Sequence, residues 1–310
     1  MVKLNNDFSF LKPIYVISRC VLFSLLFLYQ AADVFCFHNT KDSINPNAYY
    51  LDKDIPVKHF FKTIDFIAKR YSDSVGYTLS DYHIVNYNSW IIDSLSHTSY
   101  YWLKDHGIKD LNQKDRIVLK KGTPIQIPEK KIALAIEDRL KSNRIIINIP
   151  EYKMRVYHED LLIYDCLIRV GKNESRYLKS IDKYMDLRTR TGKGFIYATE
   201  RNPTWINPVD GTQYKETKRD DGTVTKMPMT PSITIFLNGY VSGQLIHATT
   251  NPETLGKPAS NGCIGTSEED IWRLYFLCPP GTKIEIIYDR KYTDESELPD
   301  IYHKSEHKYK

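Results

Sequence analysis

At 310 residues the chain exceeds one average domain and is read as two. Its 42% hydrophobic and 26% charged residues fit a packed globular protein. The net charge of +5 is spread thinly, and the absence of a dense Lys/Arg block argues against nucleic-acid binding. The 23 tyrosines favour strands and ring surfaces of the kind that stack on sugars.

The first stretch sets Lys3, Lys12 and Arg19 before an uncharged apolar run from Cys20 to Ala32 that ends in the small pair Ala31-Ala32. A basic start, a short apolar core and small residues form the pattern of a secretory signal. The run is shorter than the roughly 18 apolar residues of a spanning helix, although Ile14 to Ile17 could lengthen it into an uncleaved anchor. Residues 1–36 are therefore expected to export the chain as a signal peptide or an N-terminal anchor, its one route to a membrane. Cys36 follows Asp33-Val34-Phe35, which lacks the Leu and small residues expected before a lipidated cysteine. Export makes the remaining cysteines, Cys36, Cys166, Cys263 and Cys278, candidates for disulfides. They show no CxxC and no zinc-like Cys/His spacing.

A polar, Asn-Pro-rich linker leads to about Pro56. The run VKHFFKTIDFIAKRYS then places Phe60, Ile64, Ile67 and Tyr71 on one side of a helix. After a turn at Gly76, SDYHIVNYNSWI reads as a second short helix running into Asn88-Ser89-Trp90, followed by a polar insert. Ile117 to Pro128, with a Lys121-Gly122 turn, reads as a closing β-hairpin; an opening strand is not evident. By pattern alone this is a small α+β spacer without a ligand. It also resembles a LysM module, the βααβ unit that binds N-acetylglucosamine polymers, through Ile64 to Tyr71, Asn88-Ser89-Trp90-Ile91 and Lys121 to Pro128. The resemblance implies a LysM-like domain over 45–130 that contacts glycan strands. Lys130 to Lys141 is a charged connector, possible as a helix and plausible as a domain boundary.

From Arg144 the texture becomes strands and turns. RIIINI, KMRVYH and LLIYDCLIRVG follow one another, and Leu162, Tyr164, Cys166, Ile168 and Val170 share a face by alternation, so Cys166 reads as a core thiol. Residues 172–192 read as a polar loop, GFIYATE as a strand, and Pro208 to Pro231 as a long exposed excursion bordering a cleft. SITIFLN and QLIHA are strands. Thr266 and Glu269 have the spacing of a capping box, opening a helix that buries Ile271, Leu274, Tyr275 and Cys278. KIEIIY is a last strand, and residues 291–310 form a charged tail. About seven strands and one clear helix predict a mainly β sandwich or barrel over 142–290.

Cys263 alone has no such core role. It ends Ser260-Asn261-Gly262-Cys263 in a turn ahead of a helix start, sixteen residues after His247, which closes a strand. A helix N-terminus lowers a thiol pKa, and Gly262 lets successive N–H groups converge on an oxyanion. On spacing alone, a disulfide or an inert thiol competes with a nucleophile–base pair.

Residues 144–289 closely resemble the L,D-transpeptidase catalytic (YkuD-type) family. The resemblance rests on Ile145 to Pro150, Arg169-Val170-Gly171, Thr189 to Gly194, Asn202-Pro203-Thr204-Trp205, Met227-Pro228, Ile246-His247-Ala248-Thr249, Ser260 to Ile264 and the Glu269-Asp270-Ile271 helix. It implies a β-sandwich with a cleft for peptidoglycan stem peptides, in the periplasm or cell envelope, and no metal or organic cofactor. Cys263 would be the nucleophile and His247 its base. Amides of Asn261, Gly262 and Cys263 would form an oxyanion hole, Ser260 would brace the loop, and Trp205, Tyr240 and Gly265 would meet substrate. Cys263 would attack the bond between an L-centred third residue and a terminal D-alanine, and an amine would resolve the thioester. Transfer to water, or a binding protein with impaired catalysis, are the alternatives. Three residues depart from the family pattern. Asn261 stands where His is usual, Gly265 where Arg or Asn is usual, and Arg190 where Pro is usual.

Overall fold

The computed structural model describes residues 47–179, 182–207 and 210–290. The export segment with Cys20 and Cys36, and the charged tail, lie outside the described residues.

Two very short strands open the N-terminal part, β1 (Ala48–Tyr50) and β2 (Ile55–Pro56). Helix α1 (Phe60–Val75) follows, burying Phe60, Ile64, Ile67 and Ala68, with Tyr71 half-buried beside them. It stops at Gly76, whose φ of 66° is the left-handed conformation in which glycine carries no Cβ penalty. The sequence between is more helical than expected. Helix α2 (Asp81–Tyr87) is capped by Ser80, and the presumed polar insert holds α3 (Trp90–Ser96) and α4 (Tyr100–Asp105).

Strands β3 (Ile117–Leu119) and β4 (Pro124–Gln126) do not pair with each other as a hairpin. β4 pairs with β1 and β3 with β2, so the opening strands missing from the sequence reading are present. Buried Asn88 ties them to the helices: its Nδ2 donates to the Gln126 carbonyl at 2.8 Å and its Oδ1 accepts the Gln126 N–H at 2.9 Å.

Helix α5 (Lys130–Lys141) leads into the β region. Its strands are β5 (Asn143–Asn148), β6 (Lys153–His158), β7 (Leu161–Leu167), β8 (Val170–Gly171), β9 (Ser175–Leu178), β10 (Lys183–Asp186) and β11 (Gly192–Glu200). Then come β12 (Glu216–Lys218), β13 (Val224–Lys226), β14 (Ser232–Leu237), β15 (Tyr240–Ala248), β16 (Pro258–Ser260) and β17 (Ile264–Thr266). Helix α6 (Glu268–Leu277) and β18 (Lys283–Ile287) complete it.

Eight strands form one sheet in the order β17-β15-β14-β11-β18-β5-β6-β7, against about seven expected. The pairs β15–β17 and β18–β5 are parallel, and the others in this sheet are antiparallel. The fold is thus mainly β, a sandwich-like sheet that nearly closes. Closure comes where the chain leaving β7 meets β17: the Arg169 N–H donates to the Gly265 carbonyl at 2.8 Å and the Gly265 N–H to the Arg169 carbonyl at 3.0 Å. The alternating residues from Leu162 to Val170 face inward as read, and Cys166 is buried.

The cap of α6 is Ser267, not Thr266; its hydroxyl accepts the Asp270 N–H. Thr266 is held in β17, so the helix starts one residue later. The helix has two buried faces. Ile271 and Leu274, with Cys278 just past its end, join the sheet core, whereas Trp272, Tyr275 and Phe276 join the core of residues 51–133. Tyr275 therefore leaves the stripe predicted for it. Its ring stacks on Tyr82 at 5.2 Å and its hydroxyl donates to the buried Asp81 carboxylate at 2.8 Å. A helix apolar on all sides must be covered on all sides, and the N-terminal part supplies the second cover.

The polar stretches also carry structure. β9 and β10 make a hairpin inside the supposed 172–192 loop. β12 and β13 make another inside the supposed exposed excursion. The tip of the second is anchored: Arg219 is 2% exposed and pairs with Glu268 at 5%, while Tyr100 Oη and Lys104 Nζ converge on Asp221 at 2.7 and 2.5 Å.

Because one helix serves both cores, Trp272→Ala is expected to cost about 3–5 kcal/mol. In urea unfolding followed by tryptophan fluorescence and far-ultraviolet circular dichroism, the two signals should shift together in one transition.

Candidate active site

Strand β15 alternates, with Gln244, Ile246 and Ala248 buried on one face and Leu245 and His247 half-buried on the other. The parallel register pairs Ile246 with Ile264 and His247 with Gly265. Extended by one residue, that register sets Cys263 opposite Leu245, with His247 two residues further along the same face of β15. A Leu245 N–H directed at its sulfur favours the thiolate, as does nearby Arg169, but burial outweighs both and raises the thiol pKa.

His247 Nδ1 lies 2.8 Å from the Ala248 carbonyl. A carbonyl only accepts, so Nδ1 carries the proton and Nε2 presents its lone pair. Burial, and secondarily the Arg169 charge, lower the imidazole pKa to about 4. The Trp205 ring tilts over the imidazole at 5.0 Å. It also lines a cavity of about 460 Å³ with Asn202, Tyr214 and Met227.

The turn before Cys263 is fixed on both sides. Ser260 Oγ donates to the Cys263 carbonyl at 2.5 Å and accepts the Gly262 N–H at 3.2 Å. Gly262, with φ 108°, turns its carbonyl inward to Thr189 Oγ1 and Gln244 Nε2, both at 3.1 Å. Of the three amides expected in an oxyanion hole, that of Gly262 is thus engaged by Ser260. Those of Asn261 and Cys263 donate to no protein acceptor among the described residues. The Asn261 side chain is exposed.

One expectation fails on position. Four extended residues, the strand Ile264–Thr266 and the cap Ser267, about 13 Å of chain, separate Cys263 from α6, so the helix N-terminus does not reach the sulfur. Tyr240 opens β15, seven residues from His247, and its hydroxyl accepts from Arg190 Nη1 at 2.9 Å. A second cavity, of about 760 Å³, reaches the back of the Gly262 turn through Gly171 and Thr189 and is flanked by Arg188 and Arg190. Cys166, Cys263 and Cys278 are all free thiols.

Gly265 is buried, and a Cβ there would lie 2.6 Å from Arg169 Cγ and Nε. In the sequence Arg169 shows only as part of a strand end, Arg169-Val170-Gly171. The signal available was its place opposite the inward face of Leu162 to Val170, which directs it away from the core.

Residues 142–286 match the model of the YkuD family, described as the L,D-transpeptidase catalytic domain. Over this stretch the chain is similar to that family. Probable L,D-transpeptidase ErfK/SrfK of Escherichia coli is 26% identical over 187 residues, 58% of this chain and 54% of that protein. The chain spans between 51% and 64% of the lengths of the curated relatives it matches. Among solved structures, the catalytic domain from Enterococcus faecium L,D-transpeptidase is 18% identical with a TM-score of 0.31, covering 47% of this chain and 98% of that one. The L,D-transpeptidase from Mycobacterium smegmatis is 16% identical with a TM-score of 0.33, covering 47% and 58%. The matched stretch holds every candidate site residue named above.

The lowered pKa of His247 sets a pH window. Its folded value of about 4 lies below its ordinary 6.5, so the unfolded chain binds the proton first. This contribution to stability is present above pH 6.5 and is lost as pH falls toward 4, by about 3 kcal/mol in all. Urea unfolding at stepped pH is expected to show a shallower acid loss for His247→Gln than for wild type.

Proposed function

We propose that this protein is an exported, cysteine-dependent L,D-transpeptidase of the cell envelope that acts on peptidoglycan stem peptides. The reading is supported by the register that sets the half-buried Cys263 opposite Leu245, on the strand face that also carries His247, whose Nδ1 is committed to the Ala248 carbonyl. That leaves Nε2 as the base on the strand face beside Cys263.

In this mechanism His247 Nε2 takes the Cys263 proton as the sulfur attacks the carbonyl joining the third, L-centred residue to a terminal D-alanine. Negative charge gathers on the carbonyl oxygen, where the N–H groups of Asn261 and Cys263 stabilise it. Collapse breaks the C–N bond, His247 returns the proton to the leaving D-alanine amine, and a thioester remains. An acceptor amine from a second stem, or from an anchored protein, then loses a proton to His247 and displaces the sulfur. Ser260 keeps the turn from shifting as charge develops. Trp205 and its cavity flank one side of the imidazole and would hold substrate.

Residues 45–130 are proposed to hold glycan strands. Support comes from the LysM-like sequence pieces and from exposed rings such as Phe66, set edge-on to Tyr49 at 6.1 Å. Among the described residues, no helix is long and apolar enough to cross a membrane.

Intact-mass analysis after incubation with a carbapenem is expected to show one covalent adduct on wild type and none on Cys263→Ala. An unmodified wild-type protein sinks the nucleophile. In sedimentation with purified peptidoglycan, Phe66→Ala in the full chain is expected to release protein into the supernatant; unchanged binding removes the glycan reading.

A further inference from the structure

Arg169 is the cation nearest the chemistry, and its surroundings are unusual. Its backbone closes the sheet against Gly265. Its side chain then runs over that glycine, filling the volume a Cβ would need: Cγ and Nε lie 2.6 Å from that position and Cδ 3.0 Å. Nη1 donates to Thr254 Oγ1 at 3.2 Å. Nε is buried without a hydrogen-bond partner, and no carboxylate among the described residues lies within ion-pairing distance. A guanidinium held this way retains unspent attraction for an anion.

We propose that Arg169 is the positioning residue that sets the charge of the Cys263–His247 pair, holding a cation beside thiol and imidazole in the space Gly265 leaves open. The proposal rests on Cys263 and His247 being the reactive pair. The charged and polar groups facing that pair are few. Cys263 feels the Arg169 charge and the Leu245 N–H; His247 feels the Arg169 charge and the Ala248 carbonyl; and the carboxylate felt by Arg169 is Asp220, whose Oδ2 takes the Glu253 N–H. One cation thus acts on both titrating groups in the same sense. It favours thiolate over thiol and neutral imidazole over imidazolium, which are the forms needed for attack and for proton acceptance. Gly265 has the complementary role: a larger residue there would displace the arginine from both.

The test is alkylation of Cys263 by iodoacetamide, in which thiolate displaces iodide, followed by intact mass across pH. Cys166 and Cys278 are buried and serve as internal references. Imidazole NMR on the same proteins gives the His247 midpoint. Arg169→Met is expected to move both midpoints upward together, slowing alkylation at pH 7 about tenfold or more while leaving the high-pH plateau unchanged. Arg169→Lys, which keeps the charge, is expected to stay near wild type. If Arg169→Met fails to fold, Arg169→Ala/Gly265→Arg removes the crowding and returns a cation from the opposite strand, and both midpoints should again lie near wild type. Midpoints that stay put in Arg169→Met, that move in opposite directions, or that move equally in Arg169→Lys overturn the proposal. Alkylation needs no stem peptide, so a carbapenem-inert protein with shifted midpoints would refute the transpeptidase reading and leave this one standing.

Discussion

Two backbone hydrogen bonds between Arg169 and Gly265 close the sheet, and the site is built at that closure. One edge of the sheet is β7, the other β17, and the chain joins them only where it leaves β7. The contact must be close, because the arginine side chain occupies the place of a Cβ on residue 265. Glycine is therefore required there by packing, even though its backbone is ordinary extended strand. The same closure seats the turn of residues 260–263 between β16 and β17, beside the outward face of β15. Sheet geometry and the placing of Cys263 and His247 on neighbouring strands are one constraint.

Helix α6 links this constraint to the rest of the chain. Ile271 and Leu274 face the sheet, and Trp272, Tyr275 and Phe276 face α1 and α2, so neither core is complete without the helix. Its first turn also carries Glu268, the buried partner of Arg219 in the β12–β13 hairpin. A buried pair contributes little net stability over an apolar substitute, yet losing one partner typically costs about 3–5 kcal/mol. Its value is in fixing a position. The hairpin in turn touches the loop after His247, through Thr217 and Thr250 hydroxyls at 2.8 Å and Asp220 on the Glu253 N–H at 2.9 Å. The N-terminal helix α4 reaches the same hairpin through Tyr100 and Lys104, so the outer wall of the site is held from two sides.

Much of the β region was legible because long strands impose strict alternation. Leu162 to Val170 announced their buried face, and Cys166 with it, as did QLIHA for the strand bearing His247. Short elements were not legible. β1 has three residues and β2 two, too few for a period to show, and their existence depends on β3 and β4 some seventy residues later. The hairpins at 175–186 and 216–226 mix charged, polar and apolar residues over strands of three or four, so hydrophobicity gave no strand signal. The helix start was read one residue early because Thr266 and Ser267 are both good caps, and pairing of β17 with β15 decided between them. The electrostatics of Cys263 was misassigned for a related reason. A helix adjacent in sequence is not adjacent in space once a strand intervenes. The cation that does lie near comes from residue 169, far away along the chain and brought there only by sheet closure.

Burial raises the thiol and lowers the imidazole, which favours a neutral resting pair. A permanently charged thiolate–imidazolium pair would need water or counter-charges to sustain it, and those would also screen the oxyanion. On the proposed mechanism, a neutral pair would make charge only as the substrate carbonyl takes it up, so stabilising groups would act on the transition state more than on the ground state. That places the demand on the rigidity of the turn. The peptide units around Gly262 meet it, with the N–H held by Ser260 and the carbonyl by Thr189 and Gln244. None of these bonds uses the side chain of residue 261, which points to solvent. The asparagine that departs from the family pattern thus sits outside the network that shapes the turn. By the same geometry, the glycine at 265 exchanges a side chain of its own for the guanidinium of Arg169. Of the two departures beside the cysteine, one is bystander and the other is compensated from across the sheet.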